Sequence, residues 1–263
     1  MAESTILQTI LAHKKTEMAQ RRHDIPFAEI RDRAADQPPT RDFAAALRQP
    51  RLGKVGLIAE VKKASPTAGL IRADFDPVRI AQTYEASGAD CLSVLTDERF
   101  FQGHDTFLQA VRKAVDLPLL RKDFTVDPYQ IYEARVLGAD AILLIASALT
   151  PYQIQDYSAV ARSLGLQTLV EVHNAAEMQV ATNAGAPLIG INSRDLSTFV
   201  TDLGIVERLA SMVGPGVTLV AESGLKTPAD VALVTSAGAH AILVGETLMR
   251  AEDIGGAVRE LLG

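Results

Sequence analysis

From Val55 onward the chain alternates short apolar runs with longer stretches in which apolar residues recur at helical spacing. The short runs are Val55 to Lys62, Cys91 to Leu95, Leu117 to Lys122, Ala141 to Ile145, Thr168 to Val172, Leu188 to Asn192, Thr218 to Glu222 and Ala241 to Val244. They predict eight β-strands, and the stretches between them predict helices. Four of those helices open on a capping residue and a proline: Asp76-Pro77, Asp127-Pro128, Thr150-Pro151 and Thr227-Pro228. Proline in the first turn sacrifices no helical hydrogen bond, and the side chain before it can accept from the free N–H groups. Glycine marks helix ends in Gly88-Ala89-Asp90, Gly138-Ala139-Asp140, Gly185-Ala186-Pro187 and Gly238-Ala239-His240. These recur at near-even intervals, before the second, fourth, sixth and eighth strands, as an internal quasi-repeat.

Continuously apolar strands joined by helices imply a parallel sheet covered on its outer face, and eight such units predict a (β/α)8 TIM barrel. A doubly wound open sheet is the competitor. No Gly-x-Gly-x-x-Gly or P-loop pattern follows any strand, and polar residues stand at nearly every strand's carboxyl end, which favours the barrel.

Ahead of the barrel, residues 5–22 place Ile6, Ile10, Leu11 and Met18 at helical spacing, after candidate caps at Ser4 and Thr5. The polar segment from Arg31 to Thr40, with Pro38 and Pro39, reads as a break, and Thr40 as the cap of a short helix through Leu47. The expected organisation is an N-terminal helical extension, residues 1–47, packed on a barrel of residues 48–263. A leader that only binds a partner is the alternative.

Lys and Arg number 26 against 32 Asp and Glu, and the net charge of −6 disfavours a nucleic-acid or anionic-membrane surface. Local cations must then meet any anionic ligand. The lone cysteine, Cys91, sits in an apolar run, which predicts core packing and fits a reducing compartment. Glu3 interrupts the N-terminus, and no apolar run reaches the roughly 18 residues of a membrane helix. A cytoplasmic protein, monomer or homodimer, is expected.

In a barrel the strand ends converge on one mouth. Taken in turn they supply Glu60 and Lys62, Thr96, Lys122, Ser147, Glu171, Asn192 with Arg194, Glu222 with Ser223, and Gly245 with Glu246. Glu60 and Lys62 share one face of the first strand because side chains alternate. The loop after them, with Lys63, Ser65, Pro66 and Gly69, suits an anion. Lys122 and Glu171 stand out for their apolar surroundings. The loops at Glu222-Ser223-Gly224 and Val244-Gly245-Glu246-Thr247 lead glycine toward helix starts, a phosphate-binding arrangement. The histidines show no metal spacing, so neither a metal nor a dinucleotide cofactor is expected. Two lysines in one pocket should repel each other and lower the pKa of at least one.

Six motifs, Ala-Glu-Val-Lys-Lys-Ala-Ser-Pro from Ala59, Leu-Ser-Val-Leu-Thr-Asp-Glu-Arg-Phe-Phe-Gln-Gly from Leu92, Leu-Arg-Lys-Asp-Phe from Leu120, Leu-Val-Glu-Val-His from Leu169, Ile-Asn-Ser-Arg-Asp-Leu from Ile191 and Ala-Glu-Ser-Gly from Ala221, together resemble indole-3-glycerol phosphate synthase. The resemblance spans nearly the whole chain, extension included. Thr67, His104 and Ser193 depart from the residues usual there.

The resemblance implies ring closure of 1-(2-carboxyphenylamino)-1-deoxyribulose 5-phosphate to indole-3-glycerol phosphate, releasing carbon dioxide and water, in tryptophan biosynthesis. It implies Lys122 as general acid, Glu171 as base and Lys62 as carboxylate partner. Glu60 and Ser223 would hold hydrogen bonds around the lysines, while Asn192 and Arg194 orient the substrate's middle. Ser65 and the backbone at Ser223, Gly224, Gly245 and Glu246 would hold phosphate, with the Glu246 side chain turned away, and Phe101 and Phe124 would line an aromatic slot. The rivals are phosphoribosylanthranilate isomerase, which would need a cysteine at the mouth, and a non-catalytic binding barrel.

Overall fold

The computed structural model describes residues 5–195 and 200–263. Glu3, the candidate cap Ser4, and Leu196 of the motif beginning at Ile191 lie outside them. Strand β1 (Gly56–Val61) is followed by a short hairpin, β2 (Ala64–Ser65) and β3 (Gly69–Leu70). Seven more strands succeed it: β4 (Cys91–Leu95), β5 (Leu119–Lys122), β6 (Ala141–Ile145), β7 (Gln167–Val172), β8 (Leu188–Asn192), β9 (Thr218–Glu222) and β10 (Ala241–Val244). β1 and β4 to β10 pair in parallel around a closed barrel, with β10 completing the ring on β1. The (β/α)8 expectation holds, and every predicted strand forms with small shifts at its ends.

Side chains alternate across the barrel wall, which gives two apolar layers. Ile58, Cys91, Leu120, Leu143, Leu169, Leu188, Val220 and Leu243 fill the interior. Leu57, Leu92, Val94, Leu119, Ile142, Val170 and Ile189 face the outer helices. Those are α4 (Pro77–Ala86), α5 (Glu98–Phe101), α6 (Asp105–Ala114), α7 (Pro128–Leu137), α8 (Pro151–Ser163), α9 (Ala175–Asn183), α10 (Gly204–Ala210), α11 (Pro228–Ser236), α12 (Glu246–Arg250) and α13 (Ile254–Leu262). Asp76, Asp127, Thr150 and Thr227 cap α4, α7, α8 and α11, each with proline in the first turn.

The quasi-repeat has a mechanical reason. Gly88, Gly138, Gly185 and Gly238 all take left-handed φ values, so each helix stops abruptly. In three repeats the residue two places later accepts the N–H of a neighbouring strand's start. Asp90 accepts from Leu57 at 2.8 Å, Asp140 from Leu119 at 2.8 Å, and His240 Nδ1 from Leu219 at 3.1 Å. The motif therefore pins strands together at the barrel floor.

Three helices precede the barrel: α1 (Ile6–Asp24), α2 (Phe27–Ala35) and α3 (Phe43–Arg48). Thr5 caps α1 in a reciprocal pair with Gln8. α2 runs into the first half of the stretch read as a break, and residues 36–42 beyond it are non-helical; its two buried side chains, Ile30 and Ala34, pack on α7 and give too weak a periodic signal to announce the helix. Asp42, not Thr40, caps α3, accepting from Ala45 N at 2.9 Å. The Thr40 hydroxyl instead donates to Gly165 O at 2.6 Å, tying the extension to the floor. Fully buried Phe43 and Leu47 of α3 plug that floor against Ile58, Cys91 and Leu120. Cys91 thus lies at the closed end, its Sγ 3.5 Å from Phe43 O, and cannot serve a mouth-based cysteine mechanism.

Candidate active site

The carboxyl ends of the strands open into a cavity of about 920 Å³. Glu60, Lys62, Ser65, Phe101, Lys122, Phe124, Glu171, Asn192, Arg194, Ser223, Gly224, Gly245 and Glu246 all line it, so every residue given a role by the family resemblance reaches one chamber, while Lys63 and Gly69 of the first loop do not. Nor do Thr96 and Ser147. Leu95 points inward, so Thr96, one residue on, points outward. Its hydroxyl donates to Asp123 at 2.6 Å and accepts from Arg121 at 3.1 Å. Ser147 is exposed in the loop beyond β6.

Lys122 stands at the centre. Its Nζ lies 3.0 Å from Glu171 Oε2 and 3.3 Å from Glu222 Oε2. Lys62 pairs separately with Glu60 at 2.6 Å. Burial disfavours the charge on Lys122, but Glu171, Glu222 and Glu60 outweigh it and hold the ammonium well above the ordinary lysine value. Of the two lysines expected to repel each other, Lys122 is not lowered: three carboxylates surround its amine.

The carboxylates divide. Burial would raise the pKa of Glu171, yet Lys122 and His173 bring it well below the usual range. Glu60, also buried, is lowered by Lys62 and Lys122. Glu222 goes the other way: burial, reinforced by Glu171 and Glu60, pushes it up to about 7 against the pull of Lys122. Two of the three anions stay charged, and the third carries the cluster's exchangeable proton near neutrality.

Neighbouring residues fix this arrangement. Asn192 Nδ2 donates to Glu171 Oε1 at 3.2 Å, and its Oδ1 accepts from Arg194 N at 3.1 Å. A Cβ placed on Gly190 would overlap Glu222 Oε1, and one on Gly245 would overlap Glu60 Oε1, so both glycines leave room for carboxylates. Ser223 (φ 65°) and Gly224 (φ 80°) are successive left-handed residues that turn the chain sharply beyond β9. For a serine this conformation is uncommon and costs on the order of 1–3 kcal/mol, a strain often held at functional sites. Ser65 Oγ accepts from Ala68 N at 3.1 Å within the β2–β3 hairpin. Gly245, which caps α12, makes no side-chain capping bond. The Glu246 carboxylate accepts from Arg250 Nε at 2.9 Å and stands 3.8 Å from Arg194.

Phe101 and Phe124 face each other with centroids 6.0 Å apart, inclined at 39°. Ile6, Leu7 and Ile10 of α1 complete the apolar wall, so the extension covers part of the mouth. Buried Lys14 anchors it, with Nζ 2.8 Å from Asp123, 3.1 Å from Asp97 and 3.0 Å from Glu17. Sequence reasoning left Glu222, Lys14 and His173 without roles. The signal for Glu222 was present: it ends an apolar strand as Glu171 nearly does.

A closed parallel barrel whose mouth gathers two lysines, three buried carboxylates and an aromatic pair defines a (β/α)8 barrel with an acid–base site. A family model described as "Indole-3-glycerol phosphate synthase" matches residues 7–261. The chain is 52% identical to the indole-3-glycerol phosphate synthase of Roseiflexus sp. (strain RS-1), across 98% of both chains. It is 50% identical to that of Acidithiobacillus ferrooxidans, across 97% of this chain and 98% of the relative. The chain belongs to the indole-3-glycerol phosphate synthase family. Solved structures share its fold at low identity. A mutant tryptophan synthase α-subunit from Pyrococcus furiosus has a TM-score of 0.60 at 14% identity, covering 81% of this chain and 99% of that one. An N-acetylmannosamine-6-phosphate 2-epimerase from Clostridium perfringens has a TM-score of 0.61 at 13% identity, covering 79% and 90%.

Proposed function

We propose that the lysine–carboxylate cluster carries out the family's reaction in tryptophan biosynthesis, the decarboxylating and dehydrating closure of 1-(2-carboxyphenylamino)-1-deoxyribulose 5-phosphate to indole-3-glycerol phosphate. The carrying observation is Lys122 Nζ held between Glu171 and Glu222 at 3.0 and 3.3 Å. Lys122 is the general acid. Its neighbours keep it protonated at neutral pH, so the donor is always loaded, and the alkoxide forming as the aromatic carbon attacks the ketone draws the proton away. Loss of that charge removes the main partner holding Glu171 down. Glu171 then becomes a stronger base, fit to take a proton in the dehydration that restores aromaticity.

Lys62, oriented by Glu60, meets the benzoate carboxylate before it leaves as carbon dioxide. Phe101 and Phe124 hold the aromatic ring, and Asn192 and Arg194 orient the chain between ring and phosphate. Ser65, Ser223 and the backbone at Gly224, Gly245 and Glu246 hold the phosphate, where free N–H groups at a helix start favour an anion. We assign residues 1–47 as an extension of the catalytic barrel, residues 48–263, acting in the cytoplasm as a monomer or homodimer on a small-molecule substrate, without nucleic acid.

The protein contains no tryptophan, so no indole of its own competes with the fluorescence of the product. Adding the ribulose phosphate substrate must raise that signal. Lys122→Met is expected to lower turnover by about 10² to 10⁴, the usual contribution of a positioned acid. Near-normal turnover in that variant would overturn the assignment of the acid.

A further inference from the structure

His173 follows β7 and lies just behind Glu171, with its side chain 11% exposed. Its Nδ1 stands 3.0 Å from Glu177 Oε2, and its backbone N–H donates to the same oxygen at 2.8 Å. Glu177 is fixed in turn. It belongs to the first turn of α9, where its other oxygen accepts from Asn174 Nδ2 at 2.6 Å and its N–H donates to Asn174 Oδ1 at 3.0 Å. On the far side of the ring, Nε2 faces Glu171 Oε1 at 3.3 Å, an ion pair without the alignment of a good hydrogen bond. The imidazole thus bridges a helix start and the carboxylate that meets Lys122.

We infer that His173 is a positioning residue for the ring closure: a cation clamped by Glu177 that holds Glu171 Oε1, turns Oε2 toward Lys122, and stays charged while Lys122 gives up its proton. The inference rests on Glu171 being the base. Glu171 and Glu177 are the charged groups facing the ring among the described residues, with Lys122 and Glu222 beyond Glu171. Burial disfavours the imidazolium, but the two carboxylates prevail and raise its pKa to about 10, so the ring is doubly protonated across the physiological range. A permanent cation has a specific use here. As Lys122 is neutralised the carboxylate needs a remaining anchor, or it would swing from the proton it must take. Without His173, Asn192 at 3.2 Å would be the only partner orienting Oε1 among the described residues.

The test compares wild type, His173→Gln, Glu177→Gln and Glu171→Gln by pH-dependent kinetics and by NMR titration of the imidazole, assigned from the signal missing in His173→Gln. Glutamine retains an N–H donor but no charge. In His173→Gln, kcat should fall about 10- to 100-fold, a part of what a positioned base contributes, with little change in KM. Its acid limb should move to higher pH, because Glu171 has lost a cation that kept it ionised. The wild-type imidazole should remain doubly protonated at pH 8. An unchanged kcat and acid limb in folded His173→Gln, or an imidazole titrating near its ordinary value, overturns the inference. Should His173→Gln fail to fold, Glu177→Gln decides: the imidazole titration must move down, because the ring loses one of its two carboxylates, and kcat must fall as the unclamped ring loses its hold on Oε1; no change in either overturns the role. A Glu171→Gln variant that turns over normally removes the base assignment and this inference with it. An inactive Glu171→Gln beside an unaffected His173→Gln removes only the role of His173.

Discussion

Glu222 and His173 both lose stabilisation as pH rises, but for different reasons: burial and neighbouring carboxylates raise the one, and two carboxylate partners raise the other against burial. The Glu222 carboxyl sits at about 7 in the folded chain, above its ordinary 4.5, so the folded state binds more protons between those values. Stability from this group therefore falls as pH rises through that window. Glu222→Gln should gain stability relative to wild type as pH rises from about 5 to about 8, measured as the difference in Tm between the two proteins. An imidazolium raised from 6.5 to about 10 stabilises in full below the lower value, and its contribution disappears toward the higher. Lys122, Glu171 and Glu60 could be read from the sequence because each stands at the end of an apolar strand, where a barrel exposes side chains to its mouth. What strand position could not tell was how the charges pair. Lys122 looked like a cation repelled by Lys62, whereas the closed ring brings carboxylates from β1, β7 and β9 around it.

The elements explain where sequence pattern succeeded and failed. The eight barrel strands were legible because they are buried on both faces and leave continuous apolar runs. The proline-led helix starts were legible because their caps are local. Helix α1 was recognised from Ile6, Ile10 and Met18, but the position of that stripe between Ile10 and Met18 is Lys14, as deeply buried as those two neighbours. Its partners Asp97 and Asp123 come from loops after β4 and β5, and nothing within the helix announces them. Asp123, pulled down to about 2 by Lys14 and Arg121 against its burial, adjoins Lys122 in the chain. Lys14→Met should cost about 3–5 kcal/mol in urea denaturation, since it leaves buried carboxylates without their cation. The same change should raise KM, because Ile6, Leu7 and Ile10 lose the anchor that holds them over the cavity.

At the scale of the whole molecule, the extension touches both ends of the barrel. α1 covers part of the mouth while α3 seals the floor, and the chain between them follows the outside along α7. That route could not be read from the sequence, because a stripe of apolar positions names a buried face without naming its partner. Phe43→Ala should destabilise the protein by about 3–5 kcal/mol, as expected for removing a fully buried ring whose cavity cannot collapse; thermal or urea unfolding measures it.

The floor plug also has a history in time. α3 is made early, yet the surface it fills is built from β1, β4 and β9, the last of which is synthesised far later, and β10 must still close on β1. A nascent chain on the ribosome thus carries a stopper for a vessel that does not yet exist. Its apolar face must wait in water or in a chaperone's grip until the ring closes, and such distant pairings form slowly. In pulsed proteolysis during refolding, cleavage between α2 and α3 should persist until the barrel signal is complete, and then cease.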